Sequence, residues 1–202
     1  VMLAAVGHDL RTPLTRLKLE LAMAEPSDRI EAMKRDLSEM EHMIDEYLAF
    51  ARGQGGEALE PVSMSDLLEA LRADADRAGV EILLSVEPGL EVVCRPLALK
   101  RALDNLVMNA ASHAARIELT GRTRPSGGIE ICIDDDGPGI PEDRYEEAFR
   151  PFNRLDESRN QNEKGVGLGL AIARDVARGH GGDITLSRSP LGGLRALVKL
   201  PG

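Results

Sequence analysis

The strongest constraint on how this chain folds is the repeat of apolar residues through its first fifty positions. Leu3, Val6, Leu10, Leu14, Leu17, Leu21 and Ala24 recur every three or four residues. After a break at Glu25-Pro26-Ser27-Asp28 the spacing resumes at Ile30, Met33, Leu37, Met40, Ile44, Tyr47 and Ala51. In an α-helix that spacing lines up one apolar seam per helix. The break supplies a turn, with Ser27 or Asp28 suited to cap the second helix. Two helices joined this way form an antiparallel hairpin. One short hairpin cannot bury both seams, so the pattern predicts a homodimer in which two copies complete a four-helix bundle.

Gly53-Gln54-Gly55-Gly56 closes this region and reads as a hinge between a domain at 1–56 and a second at 57–202. Beyond it the texture changes. Residues 64–79, 95–114 and the segment AIARDVARGHG have helical periodicity. Residues 80–87, RIELTGRT, GIEICIDDD, DITLSRS and LRALVKLP read as strands, several with turn residues between them. This mixture predicts an α/β sandwich, a mostly antiparallel sheet with helices on one face. With three Phe, two Tyr and no Trp, the core must be aliphatic and the chain has no platform for stacking bases. A net charge of −9 also argues against a nucleic-acid partner. Cys94 and Cys132 fall in no paired motif and read as reduced core residues. No apolar run is long enough to cross a bilayer. The chain opens in mid-pattern at Val1-Met2-Leu3, so any membrane segment is expected outside it, upstream.

Five segments carry the chemistry. In the first helix His8 lies opposite the seam, on a water-facing stripe shared with Thr12 and Thr15. An isolated exposed histidine is ordinarily just solvated. Here Asp9 can hold one imidazole nitrogen and leave the other as a nucleophile, and Pro13 frees the Asp9 carbonyl and permits a bend. Asn105 and Asn109 are four apart on one helical face, and their amide oxygens suit a hard cation such as Mg²⁺. In DDDGPGI, Gly137 and Gly139 allow close approach of a flat ligand, and Asp135 can accept from an exocyclic amine such as that of adenine. Phe149 and Phe152 precede a polar stretch in which Arg154 and Arg159 can reach phosphate oxygens, as in a mobile lid. Gly165, Gly167 and Gly169 come just before a helix, where backbone N–H groups suit phosphates.

In their order, these segments resemble the sensor histidine kinases of two-component systems, in the HisKA group. His8 to Leu14 is similar to the H box, Asn105 to Asn109 to the N box, and Asp135 to Gly139 to the first glycine box. Phe149 to Phe152 is similar to the F box and Gly165 to Gly169 to the second glycine box. The stretch HDLRTPLTRLKLEL looks most like the osmolarity-sensor type, whose members are usually inner-membrane receptors, and the chain looks like their cytoplasmic core.

The resemblance implies a dimeric hairpin followed by an ATP-binding domain of the gyrase, chaperone and histidine kinase type. It implies His8 as phosphoacceptor, Asp9 as its assisting carboxylate, and Thr12 as a residue for dephosphorylating a response regulator. It implies Asn109 as the Mg²⁺ ligand and Asp135 as the adenine reader. Asn105, His113, Gly137, Gly139, Ile140, Phe152, Arg154, Arg159, Gly165, Gly167, Leu168 and Gly169 complete the surroundings of ATP. Thr15, Leu19 and Glu20 match positions where relatives contact the receiver domain of the regulator.

One stretch departs from the family. Many relatives carry a basic and an aromatic residue where this chain has Ser112-His113, which opens a second reading as an inactive, regulator-binding adapter. A gyrase- or chaperone-like ATPase is a third, but it has no need of a phosphoacceptor histidine. His42, on the outer face of its helix, and His180, near a helix C-terminus that favours positive charge, read as structural.

Overall fold

The computed structural model describes residues 2–25, 27–34, 36–38, 40, 57–77, 79–151, 153 and 167–202, with side chains from residue 12 onward. The chain divides into two compact units, 1–56 and 57–202.

In the first unit α1 (Met2–Met23) runs as one helix through Pro13. The second helix, α2, is described at 28–34, 36–38 and 40. Ser27 caps it: its hydroxyl accepts from the Ile30 N–H at 3.3 Å and its carbonyl from Glu31 at 2.9 Å. Of the predicted seam, Leu14 and Leu37 are buried, whereas Leu17, Met33 and Met40 stay close to half exposed within one chain. The Gly53 to Gly56 hinge and His42 lie outside the described residues.

In the second unit a two-stranded ribbon pairs β1 (Glu60–Ser63) with β3 (Glu91–Cys94). The main sheet has five strands: β2 (Ile82–Val86), β4 (Ile117–Thr123), β5 (Ile129–Asp135), β7 (Leu194–Leu200) and β6 (Asp183–Arg188), in that spatial order. Only β2 and β4 run parallel. Parallel neighbours need a crossover, and α4 (Pro96–His113) lies within it.

Alternation along the strands turns Ile117, Leu119, Ile131, Ile133, Ile184, Ala196 and Val198 into the core. There they join Leu68 and Leu71 of α3 (Met64–Arg77), Leu99, Leu103 and Leu106 of α4, and Ala173 and Ala177 of α5 (Gly169–Gly179). The core is thus aliphatic, as the scarcity of aromatics requires.

The ribbon was not expected from the sequence. Its strands are four residues long, and Pro61 in β1 breaks the strand signal although it is tolerated on a sheet edge. The predicted helices at 64–79 and 95–114 and the strand at 80–87 shorten by one or two residues at their ends, where fraying is normal, while the helix expected over 171–181 begins and ends two residues earlier, at Gly169–Gly179.

Candidate functional site

Three consecutive aspartates, two at the end of β5 and one just beyond it, do three different jobs. Alternation points Asp134 and Asp135 to opposite faces of the sheet. Asp134 forms a two-armed ion pair with Arg195, both bonds at 2.8 Å. Asp136 lies beyond the strand, where its Oδ1 accepts from the Ala115 and Arg116 N–H groups. The bond from Arg116 is the main cause of a pKa held below the usual carboxylate range. Asp134 and Asp135 are both buried, but Asp135 alone lies on the core-facing side of β5 with Ile131 and Ile133.

One carboxylate oxygen of Asp135 is fully engaged. Its Oδ1 accepts from the Gly137 N–H at 2.9 Å and from Leu194 at 3.0 Å, and its backbone carbonyl accepts from Gly193 at 3.1 Å. Among the described residues Oδ2 takes part in no hydrogen bond. The loop after β5 therefore aims one fixed, ionisable oxygen while the other does the fixing. Two glycines make this possible. A Cβ on Gly137 would come within 2.8 Å of the His113 carbonyl, and one on Gly193 would collide with Asp135 Oδ1. Gly193 and Leu194 carry no sequence signal for this role because they lie 58 and 59 residues beyond Asp135, at the last residue before β7 and the first within it. Gly139 follows at the rim against the Gly193 carbonyl, and Ile140 packs on the core.

A second group of predicted residues lies where α4 and α5 pack together. Gly169 opens α5 so close to Asn105 that an added Cβ would lie 3.6 Å from the Asn105 Cβ. The Asn105 amide nitrogen is buried and has no hydrogen-bond partner, an arrangement that costs free energy unless a ligand supplies an acceptor. Asn109 sits one turn further on, half-buried. Leu168 is buried and Gly167 lies just before the helix.

At the family departure, the Ser112 hydroxyl donates back to Met108 (2.7 Å) and Asn109 (3.2 Å) carbonyls. The imidazole of His113 sits on an exposed residue at the end of α4, while its carbonyl abuts Gly137.

Arg174 of α5 ties the neighbouring segment down. Its guanidinium bonds Glu146 at 2.7 and 3.1 Å and Asp183 at 2.9 Å, and stacks 4.2 Å over the Phe149 ring. Burial alone would raise the Asp183 pKa. Hydrogen bonds from Arg174, Arg178 and the Ile184 N–H outweigh it and hold the group at about 2.

The positive-charge rationale for His180 is corrected. Its Nδ1 meets the Val176 carbonyl at 2.7 Å, while its Nε2 accepts from the Arg95 N–H at 2.9 Å. That pattern uses a neutral ring with the proton on Nδ1.

Of the other predicted residues, Thr12, Thr15, Leu19 and Glu20 lie exposed on α1, with Glu20 paired to Arg16. His8 and Asp9 lie within α1, but their side chains are outside the described set, as are Phe152, Arg154, Arg159 and Gly165.

Residues 94–202 match the family described as "Histidine kinase-, DNA gyrase B-, and HSP90-like ATPase", and residues 1–56 match the His Kinase A (phospho-acceptor) domain. The chain belongs to the HisKA-type sensor histidine kinases. It is 37% identical over 213 aligned residues to the sensor histidine kinase CpxA of Escherichia coli K12, covering 99% of this chain and 46% of that protein. The chain thus spans just under half the length of this curated relative. It is similar to the histidine kinase domain of the E. coli osmosensor EnvZ, with a TM-score of 0.56 and 35% identity over 73% of this chain and 91% of that one. Its fold also matches full-length ShkA in complex with AMPPNP, with a TM-score of 0.77 and 24% identity over 99% of this chain and 45% of that one.

The residues present in this kinase-family chain fit an adenine nucleotide. They offer a buried carboxylate with one oxygen unengaged, a glycine floor that a Cβ would fill, and a buried amide N–H in want of an acceptor. Among the described residues no helix is long and apolar enough to cross a membrane, and no cluster of three or more His, Cys, Asp or Glu is placed to hold a metal.

Proposed function

We propose that the chain binds ATP in its second unit, phosphorylates His8, and passes the phosphoryl group to an aspartate on the receiver domain of a response regulator. What supports this reading is that the start of α5 packs against Asn105 of α4 and that Gly137, in the loop after Asp135, packs against the end of the same helix, in a chain whose other unit matches a phosphoacceptor domain. Asp135 Oδ2 accepts from the adenine amine while Oδ1 stays clamped. The Asn105 amide and the N–H groups at the start of α5 bind phosphate oxygens. Asn109 would hold Mg²⁺, which when bound neutralises phosphate charge.

In the transfer itself one imidazole nitrogen of His8 attacks the γ-phosphorus. An N–P bond forms, the bond to the bridging oxygen breaks, and ADP leaves with that oxygen. Asp9 holds the N–H of the ring and offsets the positive charge that develops on it. A regulator carboxylate then displaces the imidazole from phosphorus. Thr12, exposed on α1 four residues after His8, orients a water for the reverse task of dephosphorylating the regulator.

The homodimer is part of this reading, supported by the exposed Leu17, Met33 and Met40 of the first unit. So is a location on the cytoplasmic side of an inner-membrane receptor, where ATP and the regulator are available. The test is incubation with γ-labelled ATP and Mg²⁺, followed by addition of purified receiver domains. Label should appear on the chain and move to a receiver. A chain that binds ATP but takes up no label would favour the adapter reading.

A further inference from the structure

We propose that Glu57 is a positioning residue that fastens the start of the second unit to the helix bearing Asn105 and Asn109. This inference rests on the kinase reading above. The helix α4 starts without a cap of its own: its N-cap is Arg95, whose side chain makes no capping hydrogen bond, and Pro96 follows at the first helical position. Pro96 has no N–H, and the Leu99 N–H already reaches the Arg95 carbonyl at 2.9 Å. Two N–H groups are left without intrahelical partners, those of Leu97 and Ala98. Both donate to one carboxylate, Glu57, at 2.6 Å to Oε1 and 3.1 Å to Oε2. The N–H of Arg95 donates to His180 Nε2, and the Arg95 guanidinium to the Gly179 carbonyl at 3.2 Å.

The start of α4 is therefore held by the end of α5 on one side and by the first residue of the unit, 40 positions upstream, on the other. A negative charge at a helix N-terminus is also the favourable sign for the helix dipole. Asn105 and Asn109 lie about 12 and 18 Å further along the helix axis, at 1.5 Å per residue. The fastening is thus remote from the nucleotide residues yet rigidly joined to them. It fixes the start of the helix that carries Asn105 and Asn109, and so how the phosphates of bound ATP are set for transfer.

The test uses the full chain carrying Glu57→Ala, Glu57→Gln, which keeps one acceptor oxygen, or no change. Amide exchange at Leu97 and Ala98, ATP affinity and autophosphorylation turnover are measured on each. In Glu57→Ala, exchange at both amides should accelerate and ATP affinity should hold, while turnover falls by about fivefold or more, with Glu57→Gln intermediate. Faster exchange with wild-type turnover would reduce Glu57 to a simple cap and overturn the proposal. So would unchanged exchange, or a parallel loss of ATP affinity, which would signal a disturbed helix. Absence of label on the wild-type chain would reject the kinase reading itself, a different outcome from any of these.

Discussion

Replacing Asp135 tests the nucleotide site at its centre, and the choice of substitution decides what is learned. Alanine would strip the acceptor from two N–H groups, Gly137 and Leu194, at a carboxylate only 5% exposed. At about 1–3 kcal/mol per unsatisfied group, the loss is roughly 2–6 kcal/mol, a large share of the stability of an ordinary domain. Asparagine keeps the oxygen that accepts these bonds and replaces Oδ2 with an NH₂ donor, which cannot accept from the adenine amine. The fold should persist while nucleotide binding loses a charged acceptor worth about 1.5–3 kcal/mol, or roughly 10- to 150-fold in affinity. Calorimetric titration with ADP, beside thermal melts of both variants, makes the comparison. The Asn variant should melt close to wild type and bind weakly, and the Ala variant should melt far lower. An Asn variant with wild-type affinity would refute the adenine-reading role of Oδ2.

The remaining predictions follow from other parts of the molecule. Thr12→Ala should slow dephosphorylation of a purified phospho-regulator and leave autophosphorylation near wild type; equal loss of both would point to a helix disturbed around Pro13. Light scattering on the full chain should give twice its mass, and Leu17→Asp, which puts charge on an apolar residue 46% exposed in one chain, should shift it to monomers. Asp183 has a pKa depressed from 3.8 to about 2, so its ion pairs with Arg174 and Arg178 stabilise the fold above about pH 4 and fade as pH falls toward 2. The stability gap between wild type and Asp183→Asn, measured by denaturant unfolding, should therefore close over that interval; a gap independent of pH would contradict the assignment.

What the sequence disclosed follows from how local each signal is. The helical spacing of Leu14 and Leu37, the cap offered at Ser27 or Asp28 and the alternation in β4 and β7 are set by neighbours a few positions away, and these are legible in the sequence. The inward direction of Asp135 was implied by its strand, but its clamp was not, because Gly193 and Leu194 reach it only once β7 pairs with β5. The ribbon of β1 and β3 was hidden for the same reason, each strand being too short to declare itself without the other. The place of His180 near a helix end marks it as structural, but its partner, the Arg95 N–H, lies 85 residues earlier and leaves no local signal. Glu57 carried no motif at all, since the amides it caps become its neighbours only in the fold.

The central claim is that His8 receives the γ-phosphoryl group of ATP. Incubating the full chain and its His8→Gln variant with γ-labelled ATP and Mg²⁺ tests it most directly, with the stability of the label read in acid and in alkali. The wild-type chain should carry a label that is lost in acid and kept in alkali, and His8→Gln should carry none. A variant that labels as well as wild type, or a label that survives acid, would contradict it.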